Sequence, residues 1–359
     1  MRWDEQRVEN DLRLPGVGDG TVVRTFDAPE AMGINFHEVR ARSALNRVPG
    51  SRYGFSWTVN PYRGCTHACK FCFARRTHSY LDLGPGEDFE REIVVKVNVP
   101  ELLRAELARP SWRRELVALG TNTDPYQWVE SRYRMMPEIL AALEAAETPV
   151  SVLTKSPLVL RDLEHFERMA AKGLPVSVNL SVPTLDEEAW RATEPHTPSP
   201  AARLDAVEEL RARGIDSGVL VAPLMPGIND DPAQVQPILD RAKAAGATFL
   251  GGVALHLRGE VKDVFFAWLE EKRPDLLPKY EQLYRGRAYM QPQQRRHVTR
   301  ALKGWGRSRS TASRQDVPRT GGTVGGTTPE EALATGRGGG SPAVTGPVRH
   351  NAPVQQSFF

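Results

Sequence analysis

Six short β-rich runs, each followed by a stretch of helical period, predict an α/β fold: a partial (βα)6 barrel with an N-terminal extension and a disordered, basic C-terminal tail. Two more observations point the same way. Glycine or proline punctuates the units, as at Gly173, Pro200, Gly214, Pro232 and Gly246, and the strand-like runs lead into polar residues. Right-handed crossovers wind six such units into a curved parallel sheet. Compared with an eight-fold barrel, two units are missing, which leaves a lateral opening for a large substrate.

Residues 1–54 are polar and weakly periodic, and Val22, Val23 and Phe26 are their one hint of a strand. The barrel is expected over residues 55–285. Its first strand, residues 56–59, leads into a cysteine-bearing loop and a helix from Phe73. Residues 88–97 read as an extra extended piece, and Asn98 as the cap of a helix carrying Leu102, Leu103 and Leu107. Residues 115–120 form the second strand, followed by a helix with Ile139, Leu140 and Leu143. The third strand is 150–153, with a helix from Arg161 that stops at Gly173. The fourth is 176–180, and its helix begins at Pro200 behind the cap Ser199. The fifth is 217–221, with a helix over 232–245; the sixth is 249–255, with helical patterns over 261–271 and 276–284. A basic helix is expected over 286–303. Residues 304–359 are rich in Gly, Ser, Thr and Pro and cannot bury enough apolar surface to offset their entropy, so a disordered tail is expected.

With 359 residues, 40% of them hydrophobic, the chain can build one large core. The formal net charge is +3, and residues 304–359 account for that much by themselves. From Arg285 to Arg319, ten lysines and arginines stand against one acid, Asp316. This run reads either as a phosphate-binding surface or as a solvated basic face. No stretch approaches the roughly 20 uninterrupted apolar residues of a membrane span, and Met1-Arg2-Trp3-Asp4-Glu5 lacks the apolar run of a signal peptide. A cytoplasmic location is expected, with no membrane partner.

All three cysteines lie in Cys65-Thr66-His67-Ala68-Cys69-Lys70-Phe71-Cys72. So close together they form no disulfide framework, and a C-x3-C-x2-C spacing can converge on one metal centre. A 4Fe-4S cluster held by three cysteines keeps one iron open. Two alternatives stand beside it: a Cys3His zinc site closed by His67 or His78, and a plain electron carrier. Either could belong to a non-catalytic module that docks nucleic acid through its basic region. Polar residues at the strand ends, including Thr121-Asn122-Thr123-Asp124, Thr154-Lys155-Ser156, Ser181, His256 and Arg258, mark the mouth where a barrel enzyme places its chemistry.

The cysteine spacing, with Phe71 just before the third cysteine, resembles the signature of the radical SAM superfamily. The runs Asn60-Pro61-Tyr62-Arg63-Gly64-Cys65, Gly120-Thr121-Asn122-Thr123-Asp124-Pro125-Tyr126 and Thr154-Lys155-Ser156 resemble its spore photoproduct lyase branch. The resemblance implies a 4Fe-4S cluster on Cys65, Cys69 and Cys72, with S-adenosyl-L-methionine on the open iron. It also implies a one-electron reductant such as a flavodoxin or ferredoxin. Phe71, Thr123, Lys155 and Ser181 are then expected at the cofactor, with Asp124 and Glu194 as further candidates. For Asp124 an Asx-type turn into Pro125 competes, and for Glu194 a helix-start carboxylate. The match departs where the lyase branch relays hydrogen atoms, since a cysteine and two tyrosines correspond here to Thr121, Phe71 and Phe73. Lyase-like motifs and a basic C-terminal third lean the substrate expectation towards nucleic acid.

Overall fold

The structure is a computed structural model that describes residues 7–9, 21–49 and 54–302. Twelve strands form two sheets: β1 (Arg7–Glu9), β2 (Val22–Thr25), β3 (Asn35–Val39), β4 (Leu45–Arg47), β5 (Trp57–Val59), β6 (Tyr62–Arg63), β7 (Glu92–Lys96), β8 (Val117–Leu119), β9 (Val150–Thr154), β10 (Val176–Ser181), β11 (Asp216–Leu224) and β12 (Phe249–Ala254). In the larger sheet the six expected strands lie side by side in chain order, β5-β8-β9-β10-β11-β12, and every neighbouring pair is parallel. β4 adds antiparallel to β5 at the first edge, and β12 is the other edge, so the barrel is partial. Because all six strands point the same way, their carboxyl ends share one rim.

Alternation along the strands separates core from interior. Val150 and Val152 on β9, and Val178 and Leu180 on β10, are fully buried against the helices. Each such burial contributes about 1.5–3 kcal/mol. The intervening positions carry Ser151 and Ser177, whose hydroxyls bond at 2.9 Å across the opposite face. Lys155 and Ser181 continue that second row. At the rim Gly120 has φ +86°, and a Cβ there would lie 1.8 Å from Leu153 O, so only glycine lets β8 turn this close to β9.

Side chains cap several of the helices. Asp186 accepts from Ala189 N at 2.7 Å, Ser199 from Ala202 N at 3.2 Å and Asp231 from Ala233 N at 2.9 Å. Asn98 does not cap the helix Val99–Leu107. Its Oδ1 instead accepts from Ala41 N at 2.7 Å and its Nδ2 donates to Ala41 O at 3.0 Å, tying the extension to the barrel. Asn98→Ala is therefore expected to cost about 1–2 kcal/mol in urea denaturation, because the half-buried N–H and C=O of Ala41 both lose a hydrogen bond. A loss of only a few tenths would mean that Ala41 is held by other groups.

The extension holds more structure than its one legible strand. β2 and β3 join β7 and β6 in a second sheet of order β1-β2-β3-β7-β6. β3 escapes periodicity because its polar residues are satisfied by distant partners: Asn35 Nδ2 donates to Glu92 Oε1 at 2.9 Å, and His37 Nε2 lies 2.5 Å from Glu92 Oε2. Phe36 is fully buried between Phe26 and Trp128. Across the boundary expected at residue 54, Leu45 pairs with Val59. The extended piece expected over 88–97 is helical in its first part, Glu87–Arg91, before β7.

Beyond β12 come the helices Val261–Lys272, Leu277–Leu283 and Pro292–Val298 and a 3-10 turn Arg300–Leu302. The tail expected over 304–359 lies outside the described residues. Among the described residues no helix is long and apolar enough to cross a membrane.

Candidate metal centre and barrel mouth

The loop after β6 is shaped by what surrounds it. Gly64 has φ +82°, and a Cβ there would meet His78 Cε1 and Ile93 Cδ1 at 2.9 Å and Phe89 O at 3.0 Å, so the chain enters the cysteine stretch through a gap that only glycine passes. Its amides are largely committed to protein oxygens. Cys65 N donates to Phe89 O at 3.0 Å, Thr66 N to Gln127 Oε1 at 2.8 Å, Lys70 N to Thr193 O at 2.9 Å and Cys72 N to Cys69 O at 3.3 Å. Arg75 closes the far side, donating to Ala68 O and Cys69 O.

Cys65 and Cys69 are buried and Cys72 half-buried, all as free thiols. Burial pushes the Cys69 thiol well up, and the charges of Glu194 and of the other cysteines add to this against Lys155. Cys72 is pushed up to about 11 by burial and by Cys65, with Arg75 opposing. Cys69 and Cys72 are thus held as neutral thiols, and a bound cation would offset the cost of ionising them, which fits a metal cluster. Among the described residues no three of His, Cys, Asp and Glu are near enough to hold a single metal ion. Of the two histidines that could close a zinc site, His67 interacts with both Asp124 and Cys65, and His78 with the backbone at Glu92. His67 Nδ1 lies 3.4 Å from Asp124 Oδ2, and His78 Nε2 lies 3.0 Å from Glu92 O.

At the rim the register Leu180↔Thr154 sets Ser181 beside Lys155. Lys155 Nζ donates to Ser181 Oγ at 2.8 Å and lies 2.6 Å from Glu194 Oε1 and 5.6 Å above the Phe71 ring. Glu194 is fully buried at the end, not the start, of the helix Glu187–Thr193. Its Oε2 accepts from Arg203 Nη1 at 2.8 Å. Burial alone would raise the Glu194 carboxyl, but Arg203 and then Lys155 outweigh it and hold it below the usual carboxylate range. Phe71, Lys155, Ser181 and Glu194 thus meet in one cluster of side chains.

Thr123 and Asp124 approach from β8 and face the cysteine loop, with their polar atoms engaged. Thr123 Oγ1 donates to Gly64 O at 2.6 Å and accepts from Gln127 Nε2 at 2.9 Å. Asp124 accepts from Tyr126 N at 2.9 Å, which is the Asx-type turn, and also from Thr154 Oγ1 at 2.6 Å and Lys155 N at 2.7 Å. Burial opposes ionisation of Asp124, yet His67 and these donors hold its carboxyl below the ordinary range. His256, at the end of β12, stacks on Tyr289 at 5.4 Å, and burial lowers its pKa to about 4.

Sequence reasoning passed over Arg75, Arg203 and Glu90. Arg203 left a trace: it occupies the buried face of the helix Pro200–Ala212, in step with Pro200, Leu204, Val207 and Leu210. A charge on an apolar helical stripe calls for a buried partner. Arg75 and Glu90 left none, since Arg75 serves loop carbonyls and Glu90 takes Lys70 and Arg75, partners set by the loop path.

The profile of the radical SAM superfamily matches residues 59–235. An uncharacterized protein of Mycobacterium tuberculosis is 48% identical over 302 residues, covering 82% of this chain and 88% of that one. An uncharacterized protein of Methanocaldococcus jannaschii is 27% identical over 199 residues, covering 55% and 70%. Among solved structures, spore photoproduct lyase complexed with dinucleoside spore photoproduct superposes with a TM-score of 0.56 at 15% identity, covering 75% of this chain and 80% of that one. A variant of the same lyase gives a TM-score of 0.57 at 16% identity, covering 74% and 77%.

Proposed function

Since the chain belongs to the radical SAM superfamily, with the fold of spore photoproduct lyase, we propose that Cys65, Cys69 and Cys72 hold a 4Fe-4S cluster for radical chemistry on a nucleic-acid substrate. The observation that carries this reading is the set of three thiols beside the Phe71–Lys155–Ser181–Glu194 cluster at the rim. Held by Cys65, Cys69 and Cys72, such a cluster would supply one-electron reductive cleavage of S-adenosyl-L-methionine, the source of a 5′-deoxyadenosyl radical for hydrogen abstraction.

The chain's own residues bind, orient and shield. Lys155, half-buried and held by Ser181 and Glu194, presents an ammonium to a carboxylate entering the mouth. Phe71 roofs that site and keeps water from it. Thr123 and Asp124 act one layer back: Thr123 fixes Gly64 at the entrance to the loop, and Asp124 orients His67 and the Lys155 backbone. Thr121, Phe71 and Phe73 stand where the resemblance places the lyase branch's hydrogen-relaying cysteine and tyrosines, so that relay is not carried by these positions. The electron comes from a flavodoxin or ferredoxin, and we place the protein in the cytoplasm, where such carriers work.

Two features support a nucleic acid as substrate. The related lyase is complexed with a dinucleoside photoproduct. In this chain Arg285, Arg287, Arg296 and Arg300 are exposed without ion-pair partners among the described residues, on a segment tied to the rim by Leu257 N donating to Ala288 O at 2.8 Å. Anaerobic reconstitution should give about four irons with matching sulfide per chain. The reduced protein's electron paramagnetic resonance should change on adding S-adenosyl-L-methionine. One zinc and no sulfide would instead favour a structural metal site. Oligonucleotide binding that weakens steeply with salt, and further in an Arg285→Gln, Arg287→Gln variant, is expected; salt-independent binding would count against the substrate class.

A further inference from the structure

We infer that Arg75, together with Glu90, is a positioning residue for the cluster: it pre-forms the loop carrying Cys69 and Cys72 and biases the charge the cluster holds. This rests on the cluster proposed above. Arg75 sits on the 3-10 helix Phe73–Leu81 and is fully buried. Nε donates to Cys69 O at 2.9 Å, Nη2 to Ala68 O at 3.0 Å, and Nη1 to Pro85 O and Gly86 O, both at 2.9 Å. The fifth N–H, on Nη2, goes to Glu90 Oε1 in an ion pair. All five donors of the fork are used. The guanidinium carbon lies 5.2 Å over the Phe89 ring, which fixes its plane.

The loop needs such a hold. Ala68, buried between Cys65 and Cys69, has φ +56°, a left-handed conformation that a residue with a Cβ adopts only under constraint. Arg75 grips the carbonyl of that same residue. It ties the loop to the Pro85–Gly86 turn, which holds the backbone at Ala68 and Cys69 in place. Lysine, with one compact ammonium, cannot serve four carbonyls and a carboxylate.

The same group sets the local charge. Glu90 Oε1 also takes Lys70 Nζ at 3.0 Å, so two cations share one carboxylate beside the cysteines. A buried cation favours the more negative, reduced state of a cluster, and a carboxylate opposes it. The balance of Arg75, Lys70 and Glu90 therefore trims the midpoint potential.

The test compares reconstituted wild-type chain with Glu90→Gln, Lys70→Gln, Arg75→Gln and the double variant Arg75→Gln, Ala68→Gly, reading iron per chain and the midpoint potential in a dithionite titration followed by electron paramagnetic resonance. Glu90→Gln should shift the midpoint positive, and Lys70→Gln, at a surface-reaching position, should shift it negative with iron unchanged. Arg75→Gln should lose most of its iron. Adding Ala68→Gly should restore much of it, because glycine adopts that backbone unaided, and the recovered cluster should reduce at a more negative potential than wild type. Unmoved midpoints in both charge variants, or full iron in Arg75→Gln, would overturn the inference. A wild-type chain that takes up no iron overturns the cluster reading instead, so the two failures are told apart.

Discussion

Alanine at Cys65, Cys69 or Cys72 is expected to abolish the iron–sulfur centre and, with it, every turnover of S-adenosyl-L-methionine, while leaving the fold intact. A cube bound by three thiolates depends on each of them, and the nearby carboxylates are already engaged, Asp124 with His67 and Glu194 with Lys155 and Arg203. Losing one thiolate leaves the cluster labile rather than merely perturbed. The loop keeps its hydrogen bonds through backbone atoms and Arg75, so the cost to stability is that of a small side chain, about 1 kcal/mol. Iron and sulfide analysis, the resonance of the reduced protein, and detection of 5′-deoxyadenosine check it. A single-cysteine variant that keeps full iron and still cleaves the cofactor would remove that cysteine from the ligand set.

The second large effect is structural. Arg203→Met should destabilise the protein by about 3–5 kcal/mol, the range for stripping one partner from a fully buried ion pair. Arg203 and Glu194 are both fully buried, and the guanidinium also donates to Ser181 O at 2.9 Å, Thr197 Oγ1 at 2.6 Å and Pro198 O at 2.8 Å. Methionine fills the volume but serves none of these acceptors. The pair also predicts an acid limb. Glu194 has a folded pKa below its unfolded value, so its contribution is fully present above about pH 4.5 and is lost as pH falls through the folded value. Urea midpoints at neutral pH and down to about pH 3 should show that slope in wild type and a flatter one in Arg203→Met. Additivity of Arg203→Met and Glu194→Gln would mean that the two side chains do not act as a pair, since coupled neighbours deviate from it.

How much was legible depended on the range of the forces involved. All six barrel strands were readable because each is a local run of β-formers bounded by turn residues, and the observed limits differ by a few residues. β3 and β4 were not, because β3 is polar and is held by Glu92, 55 residues away, and β4 is three residues at a sheet edge. Asn98 had the right residue type for a cap, but Ala41 offered two partners instead of one. At the rim Lys155, Ser181 and Phe71 stood out as polar or aromatic residues at motif positions. That Glu194 ends a helix and meets both Lys155 and Arg203 was visible only once the loop after β10 was folded.

The sequence by itself determined the order of the parallel strands, the three thiols at a cluster-binding spacing, and the polar rim, since each is a matter of local composition and spacing along the chain. Tertiary structure alone decided which charges neutralise one another. It put Thr123 on Gly64 and Asp124 on His67, turned Asn98 to Ala41, and wrapped five acceptors around Arg75. The physical reason is that a buried charge or amide takes whichever partner the packing brings within about 3 Å, and that partner is fixed by strand register and loop path, not by distance along the chain.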